Sequence, residues 1–309
     1  MDSRTNKLLG ALYGALIGDA CGVPYEFKWP AAIPPLDQID MTPPAGYDRT
    51  WESIPVGTYS DDGAQQLCLL KRLLECERPE DFDERALKIS LQAWLYDGFM
   101  SVDGKTFDVG MQTSAALQTD DVSPLNEQRY NGNGSLMRTL PVALRFNDVD
   151  AIIDIAYQQS GVTHPHIRSR LCCVIYCLIA YHMIRGYQLW ESVDLAFDEL
   201  SVDRDFAEDL ACIKDFQHYE ATGTGYVVDS LWSAIKAVHR GRGYESVIKL
   251  AIAYGNDTDT TACIAGGLAG IQYGYSGIPQ RWIDALRGKE IIEPLAYRMI
   301  CTSLRSESQ

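Results

Sequence analysis

The run Asp257-Thr258-Asp259-Thr260-Thr261-Ala262-Cys263-Ile264-Ala265-Gly266-Gly267-Leu268-Ala269-Gly270-Ile271-Gln272-Tyr273-Gly274 joins an acidic cluster to an apolar segment dotted with glycine. Ile264, Leu268 and Ile271 recur with helical period. Gly266, Gly270 and Gly274 recur every four residues, with Ala262 and Ala265 beside them. Each glycine costs about 1 kcal/mol of helix propensity relative to alanine, so close packing has to offset it. The run is too short for a membrane-embedded helix pair. It reads as a central helix that neighbouring backbones approach closely.

Outward from this helix the same period dominates. Leu8, Leu12 and Leu16 form one stripe, and Leu67, Leu70 and Leu74 form another behind the cap residues Ser60, Asp61 and Asp62. Ile152, Ile153 and Ala156 mark a third; Leu231, Ile235 and Val238 a fourth; Val247, Leu250 and Ala251 the start of a fifth. Leu171 to Ile184 is apolar nearly all round, as a buried helix would be. Alternating strand patterns are scarce. The expected fold is all-α, a many-helix globule. No linker or fixed-period repeat divides the chain, so residues 1–309 are expected to form a single domain. Three long polar stretches, 28–58, 97–110 and 119–135, are candidate functional loops. Trp94, Met100 and Met111 are expected in the core.

Composition narrows the function. Of 309 residues, 46% are hydrophobic and 22% charged, which excludes a disordered chain. Lys plus Arg is 27 against 42 Asp plus Glu, a net charge of −15. With no basic patch, duplex nucleic acid is not an expected partner. The nine cysteines contain no CxxC pair and read as buried, reduced thiols of a cytoplasmic protein. Gly10, Gly14, Gly18 and Asp19 interrupt the first apolar stretch, so no signal peptide is expected. Leu171 to Ile184 is short for a membrane span and contains His182, so no membrane partner is expected either. No oligomer is read from the sequence.

Two acidic clusters carry the chemistry: Ser60-Asp61-Asp62 and Asp257-Thr258-Asp259-Thr260. Each sits at a loop-to-helix junction, where Ser, Thr and Asp are good caps and suit the positive end of the helix dipole. One cap explains one residue per helix, not paired carboxylates with hydroxyls between them. Like charges that close repel unless a cation lies between them. Oxygen ligands without His or Cys favour Mg²⁺, Mn²⁺ or Ca²⁺ over zinc. The second cluster also has the D-x-D-x-T form of haloacid-dehalogenase-type phosphatases. That fold needs a parallel sheet after the motif, and the residues that follow read helical. An EF-hand is excluded by the missing glycine and closing glutamate.

The order of motifs resembles that of the ADP-ribosylglycohydrolase family. Gly14 to Ala20 followed by Gly22-Val23-Pro24-Tyr25-Glu26-Phe27 is similar to its N-terminal signature. Tyr59-Ser60-Asp61-Asp62 resembles its first metal motif, with Ser60 where Thr is usual. Phe107-Asp108-Val109-Gly110 with Thr113, and Gly132-Asn133-Gly134-Ser135-Leu136-Met137-Arg138 with Pro141, resemble its next two elements. Thr163-His164-Pro165, Gly225-Tyr226-Val227-Val228 and Gly255-Asn256-Asp257-Thr258-Asp259-Thr260 complete the series, with Asn256 where Gly is common.

The resemblance implies two Mg²⁺ ions, or Mn²⁺, in a central cleft of an all-α fold. The implied ligands are Glu26, Ser60, Asp61, Asp62, Asp257, Asp259 and Thr260. The implied reaction is hydrolysis of the glycosidic bond between ADP-ribose and a modified protein side chain. Arginine follows from similarity to the arginine-hydrolase and dinitrogen-reductase branch. A serine-linked or free ADP-ribose derivative is the alternative substrate, and a catalytically silent binding member the alternative role. Glu26, Asp61 and Asp108 are the catalytic candidates, and the general acid or base is either Glu26 or Asp108. Gly132 and Gly134 permit positive φ and close backbone approach, so the Asn133, Gly134, Ser135 and Leu136 backbone is expected to cradle a pyrophosphate. Arg138 pairs either with phosphate or within the protein. His164 is expected in the ribose-side pocket, and Tyr226 either stacks on substrate or packs.

Overall fold

The glycines at four-residue spacing find their partner in the N-terminal helix. The computed structural model describes residues 1–201 and 206–306. Its α-helices are α1 Ser3–Gly22, α2 Asp61–Leu73, α3 Glu84–Asp97, α4 Met111–Leu117, α5 Pro141–Arg145, α6 Val149–Gly161 and α7 Ile167–Ile184. They continue with α8 Leu189–Leu200, α9 Ala207–Asp215, α10 Val227–Arg240, α11 Tyr244–Ala253, α12 Thr258–Tyr273, α13 Gln280–Ala285 and α14 Lys289–Ser306. No β-strand occurs among the described residues, so the all-α expectation holds.

Helices α1 and α12 run antiparallel with their backbones in contact. A Cβ added to Gly270 would stand 1.8 Å from the Gly10 carbonyl oxygen. One added to Gly14 would stand 2.4 Å from Gly266 O, and one on Gly18 2.1 Å from Ala262 O. At the far end, a Cβ on Gly22 would lie 2.3 Å from Asp259 Cα. The glycines that break the apolar stripe of α1 are thus the other half of the contact predicted for α12. Gly274 belongs to the C-cap, at φ +73, and not to the helix itself. Tyr244 O–H donates to Gly14 O at 2.5 Å and Tyr176 O–H to Ile264 O at 2.9 Å, which moors α11 and α7 to this pair.

Helix α7 is buried along its length, as its unbroken apolar pattern predicts. Ser3–Tyr25 and Ile167–Ile184 are long and apolar enough by composition to cross a membrane, but 94% and 83% of their apolar windows are buried inside the protein. All nine cysteines are free, with Cys212 and Cys301 half-buried and the others buried. Trp94 is fully buried as expected. Met111 corrects its expectation: it is 90% exposed, because Gly110 delivers it to the first turn of the short α4, which faces the cleft mouth and not the core.

The three polar stretches contain only short 3₁₀ turns: Pro30–Ala32 and Leu36–Gln38 in the first, Val102–Gly104 in the second, and Ser123–Leu125 in the third. The second and third stretches line one cleft, at the end of the helix pair where α1 stops and α12 begins, and the first reaches it through Trp51, which bonds Glu26.

Candidate active site

Three helix ends converge there. Thr258 Oγ1 donates to Gly22 O at 2.8 Å, fixing the start of α12 against the end of α1. The 3₁₀ turn Val23–Tyr25 then carries Glu26 into the cleft, 2% exposed. Carboxylate oxygens of Glu26, Asp257 and Asp259 lie within 4.8 Å of one another. The third end is that of α2. The Asp19 carboxylate accepts from Ser60 N–H at 2.9 and 3.0 Å and from Gly63 N–H at 2.8 Å. Thr260 Oγ1 donates to Asp62 Oδ1 at 3.3 Å, joining α2 to α12.

The capping explanation accounts for part of this. Ser60 is the N-cap of α2, and its hydroxyl accepts from Asp62 N–H at 3.2 Å. Asp257 stands at the N-cap of α12 without capping it. Its Oδ2 accepts instead from Asn133 Nδ2 at 2.8 Å. Asp61 Oδ2 accepts from Gln65 Nε2 at 3.0 Å. Asp108, at φ +57, enters from the second polar stretch with its carboxyl beside those of Glu26 and Asp259.

So many buried acids leave an electrostatic debt. Burial, then repulsion from Asp108 and Asp257, pushes the Glu26 carboxyl up to about 11. Burial raises Asp19 to about 7. Burial and the neighbouring carboxylates also raise Asp61, Asp62, Asp108 and Asp259. Asp62 Oδ2 and both Asp259 oxygens are buried without a hydrogen-bond partner. Native interiors rarely tolerate such atoms unless an unseen group satisfies them. Oxygen-only donors around unpartnered carboxylates fit a hard divalent cation.

The glycine loop forms the opposite wall. Asn133 N–H donates to Gly225 O at 3.1 Å and Val227 N–H to Asn131 O at 2.9 Å, a single antiparallel bridge. Neither Gly132 nor Gly134 takes positive φ, contrary to expectation; close approach is what they permit. A Cβ on Gly134 would lie 2.9 Å from the His164 ring, and one on Gly132 3.4 Å. Fewer backbone donors are free in this loop than the expected cradle would use. Leu136 and Met137 N–H both donate to Asn133 O, which leaves the Gly134 and Ser135 N–H groups for a ligand. The Ser135 and Leu136 side chains are fully buried, with Ser135 Oγ 2.8 Å from Ser160 Oγ.

His164 does line the cleft. Thr163 Oγ1 pins its Nδ1 at 2.8 Å, while burial and the Arg138 charge lower it to about 3, so the ring is neutral at physiological pH. Tyr226 packs: its ring meets Phe216 at 5.9 Å, away from the cleft lining. Asn256, at φ +59, donates from Nδ2 to Thr222 O at 2.8 Å and serves the loop rather than the carboxylates.

Arg138 is neither a phosphate clamp nor half of an ion pair. It is fully buried and donates to Gln159 Oε1 and O, Gln65 Oε1, Gly134 O and Thr163 Oγ1 at 2.8–3.2 Å. It therefore links the helper of Asp61 to the glycine loop and to the residue that pins His164. Arg138→Met strands these acceptors in the interior. The expected loss is about 3 kcal/mol of stability, read as a lower denaturant midpoint in equilibrium unfolding.

Sequence reasoning missed two partners of the acids. Asp19 hides within an apolar helix and shows its role only through the α2 backbone it caps. Trp51, in an irregular loop, donates from Nε1 to Glu26 Oε2 at 2.5 Å, and its ring meets Phe107 at 5.4 Å. Its only sequence signal is a tryptophan in a polar stretch that also holds Trp29.

The cleft measures about 710 Å³ and is lined by Glu26, Asp61, Asp62, Asp108, Asp257 and Thr260 on one wall and Gly132, Asn133, Gly134 and His164 on another. That size suits a nucleotide-like ligand. A family model described as ADP-ribosylglycohydrolase matches residues 1–308. The chain belongs to the ADP-ribosylglycohydrolase family. Among curated ADP-ribosylglycohydrolase relatives, the ADP-ribosylarginine hydrolase Tri1 of Pseudomonas putida is 29% identical over 96% of this chain and 79% of its own. The ADP-ribosyl-[dinitrogen reductase] glycohydrolase of Rhodospirillum rubrum is 27% identical over 91% of this chain and 90% of its own. ADP-ribosylhydrolase ARH3 of Danio rerio is 24% identical over 95% and 90%. A solved structure titled ADP-ribosylglycohydrolase-related protein complex superposes with a TM-score of 0.78 at 26% identity, covering 98% of this chain and all of that one.

Proposed function

We propose that this ADP-ribosylglycohydrolase removes ADP-ribose from arginine side chains of modified proteins, with two Mg²⁺ ions, or Mn²⁺, in the cleft. The observation that carries this reading is the set of buried, unpartnered oxygens of Asp62 and Asp259 beside Glu26 and Asp257. Support for arginine comes from relatives named for ADP-ribosylarginine and for dinitrogen reductase. Glu26, Ser60, Asp61, Asp62, Asp257, Asp259 and Thr260 would hold the ions. Bound there, they would supply positive charge to ribose hydroxyls and to the attacking water.

The chain's own residues do the rest. Hydrolysis breaks the bond from the anomeric carbon to the guanidine nitrogen. Water supplies oxygen to the carbon, through an oxocarbenium-like transition state, and a proton reaches the nitrogen. Glu26 and Asp108 are the carboxyl groups proposed to carry that proton, and Asp61, held by Gln65, is the third catalytic candidate. The Gly134 and Ser135 N–H groups face the pyrophosphate, and neutral His164 borders the ribose. The whole chain, 1–309, is read as one domain of a cytoplasmic protein.

Trp51 acts here as a positioning residue. Trp51→Phe keeps the ring beside Phe107 and deletes the donor to Glu26. Turnover number should fall about tenfold while KM and melting temperature stay near wild type. A purely structural role would instead lower the melting temperature along with activity.

The reading is tested by following ADP-ribose release from arginine-linked and serine-linked substrates, each with Mg²⁺ and with EDTA. Release from arginine that EDTA abolishes is the expected result. Release from serine alone would reassign the linkage, and binding without release would make the chain a silent member of the family.

A further inference from the structure

Phe27 is the most unusual residue at the cleft mouth. Its backbone sits at φ +58, a genuine outlier for a bulky side chain. Two reciprocal bonds hold it there: Phe27 N–H donates to Asn256 O at 2.7 Å, and Asn256 N–H to Lys28 O at 2.7 Å. Strain of this kind persists only where the surroundings enforce it, and it concentrates at functional sites. The strained turn does not bury the ring. Phe27 is 62% exposed, contacts no other aromatic ring among the described residues, and lines the cleft next to Glu26 and Asp257. An aromatic face is thus held at the point where the carboxylate cluster opens to solvent.

We propose that the Phe27 ring is a stacking platform for the cationic, planar guanidinium of the modified arginine, and so a specificity residue of the cleft. This rests on the arginine reading above. The argument is positional. If the anomeric carbon lies at the carboxylates, the side chain joined to it must pass the neighbouring residue on its way out. A guanidinium there meets a π-face on one side and the acids of the cluster on another. A serine ether oxygen offers neither charge nor a planar group to this surface.

The test compares wild type with Phe27→Ala, Phe27→Gly and Phe27→Tyr in Mg²⁺. KM and kcat are measured on an arginine-linked peptide, and Ki is measured for free ADP-ribose, which lacks the guanidinium. Phe27→Ala should raise KM about tenfold with kcat little changed. Its Ki for ADP-ribose should stay within about twofold, and Phe27→Tyr should restore KM. Phe27→Gly should raise KM equally yet melt no lower than wild type, because glycine adopts positive φ without strain. An unchanged KM would overturn the proposal. So would a parallel rise in Ki, which would place the ring against the ADP-ribose half, and so would a marked melting loss in Phe27→Gly, which would make the ring a structural anchor. If wild type releases nothing from arginine, this proposal and the arginine reading fall together; if wild type is active and only the Phe27 results disagree, this proposal falls alone.

Discussion

Asp259→Asn should lower ADP-ribose release by about a hundredfold or more and leave the protein folded. Even groups that merely support a metal ligand cost about 10- to 100-fold when removed, and Asp259 offers two buried oxygens without a hydrogen-bond partner. The amide keeps the shape of the carboxylate and removes one of several mutually repelling charges. Melting in EDTA should therefore match wild type within a few degrees. The two proteins part when Mg²⁺ is added. A cation at about a hundred times its Kd stabilises wild type by about 2.7 kcal/mol, or about 5 °C for a chain of this size. The variant should gain much less. Scanning calorimetry with and without Mg²⁺ reads this independently of turnover. Equal Mg²⁺ stabilisation of both proteins would remove Asp259 from the ligand set.

Gly270→Ala should be the most damaging single methyl in the fold. Its Cβ would fall 1.8 Å from Gly10 O, and both partners are backbone, so no side chain can swing away. The helices must separate along their whole contact, at a cost of at least about 3 kcal/mol. Gly266→Leu, opposite Gly14, should leave little soluble protein. Gly243→Ala is the control: its backbone is extended and its Cβ would meet nothing within 4 Å. Soluble yield and thermal melting by circular dichroism rank the three. A Gly270→Ala protein that melts like wild type would refute the contact.

Seven helices were legible in the sequence from an apolar stripe. The stripes at Leu8, Leu67, Ile152, Leu171, Leu231, Val247 and Ile264 all fall within helices. Helices α3, α4, α5, α8, α9, α13 and α14 were not anticipated; Pro294 inside α14 runs against any propensity reading. The acid clusters were legible because charge crowding is local. Their meeting was not, since residue 62 and residue 260 touch only through tertiary packing. Arg138 shows the limit best. Its type suggested a phosphate or an acid, yet its partners are amides, carbonyls and a hydroxyl from three separate segments. The left-handed backbone of Phe27 carries no sequence signal either, because a bulky side chain disfavours that region.

The contact between α1 and α12 also dictates when the protein becomes an enzyme during its own synthesis. Residue 10 waits for residue 270, and Glu26 waits for Asp257, so a ribosome must translate past residue 257 before either pair can meet. Such high contact order slows folding, and it means that a nascent chain interrupted before α12 possesses neither its spine nor its chemistry.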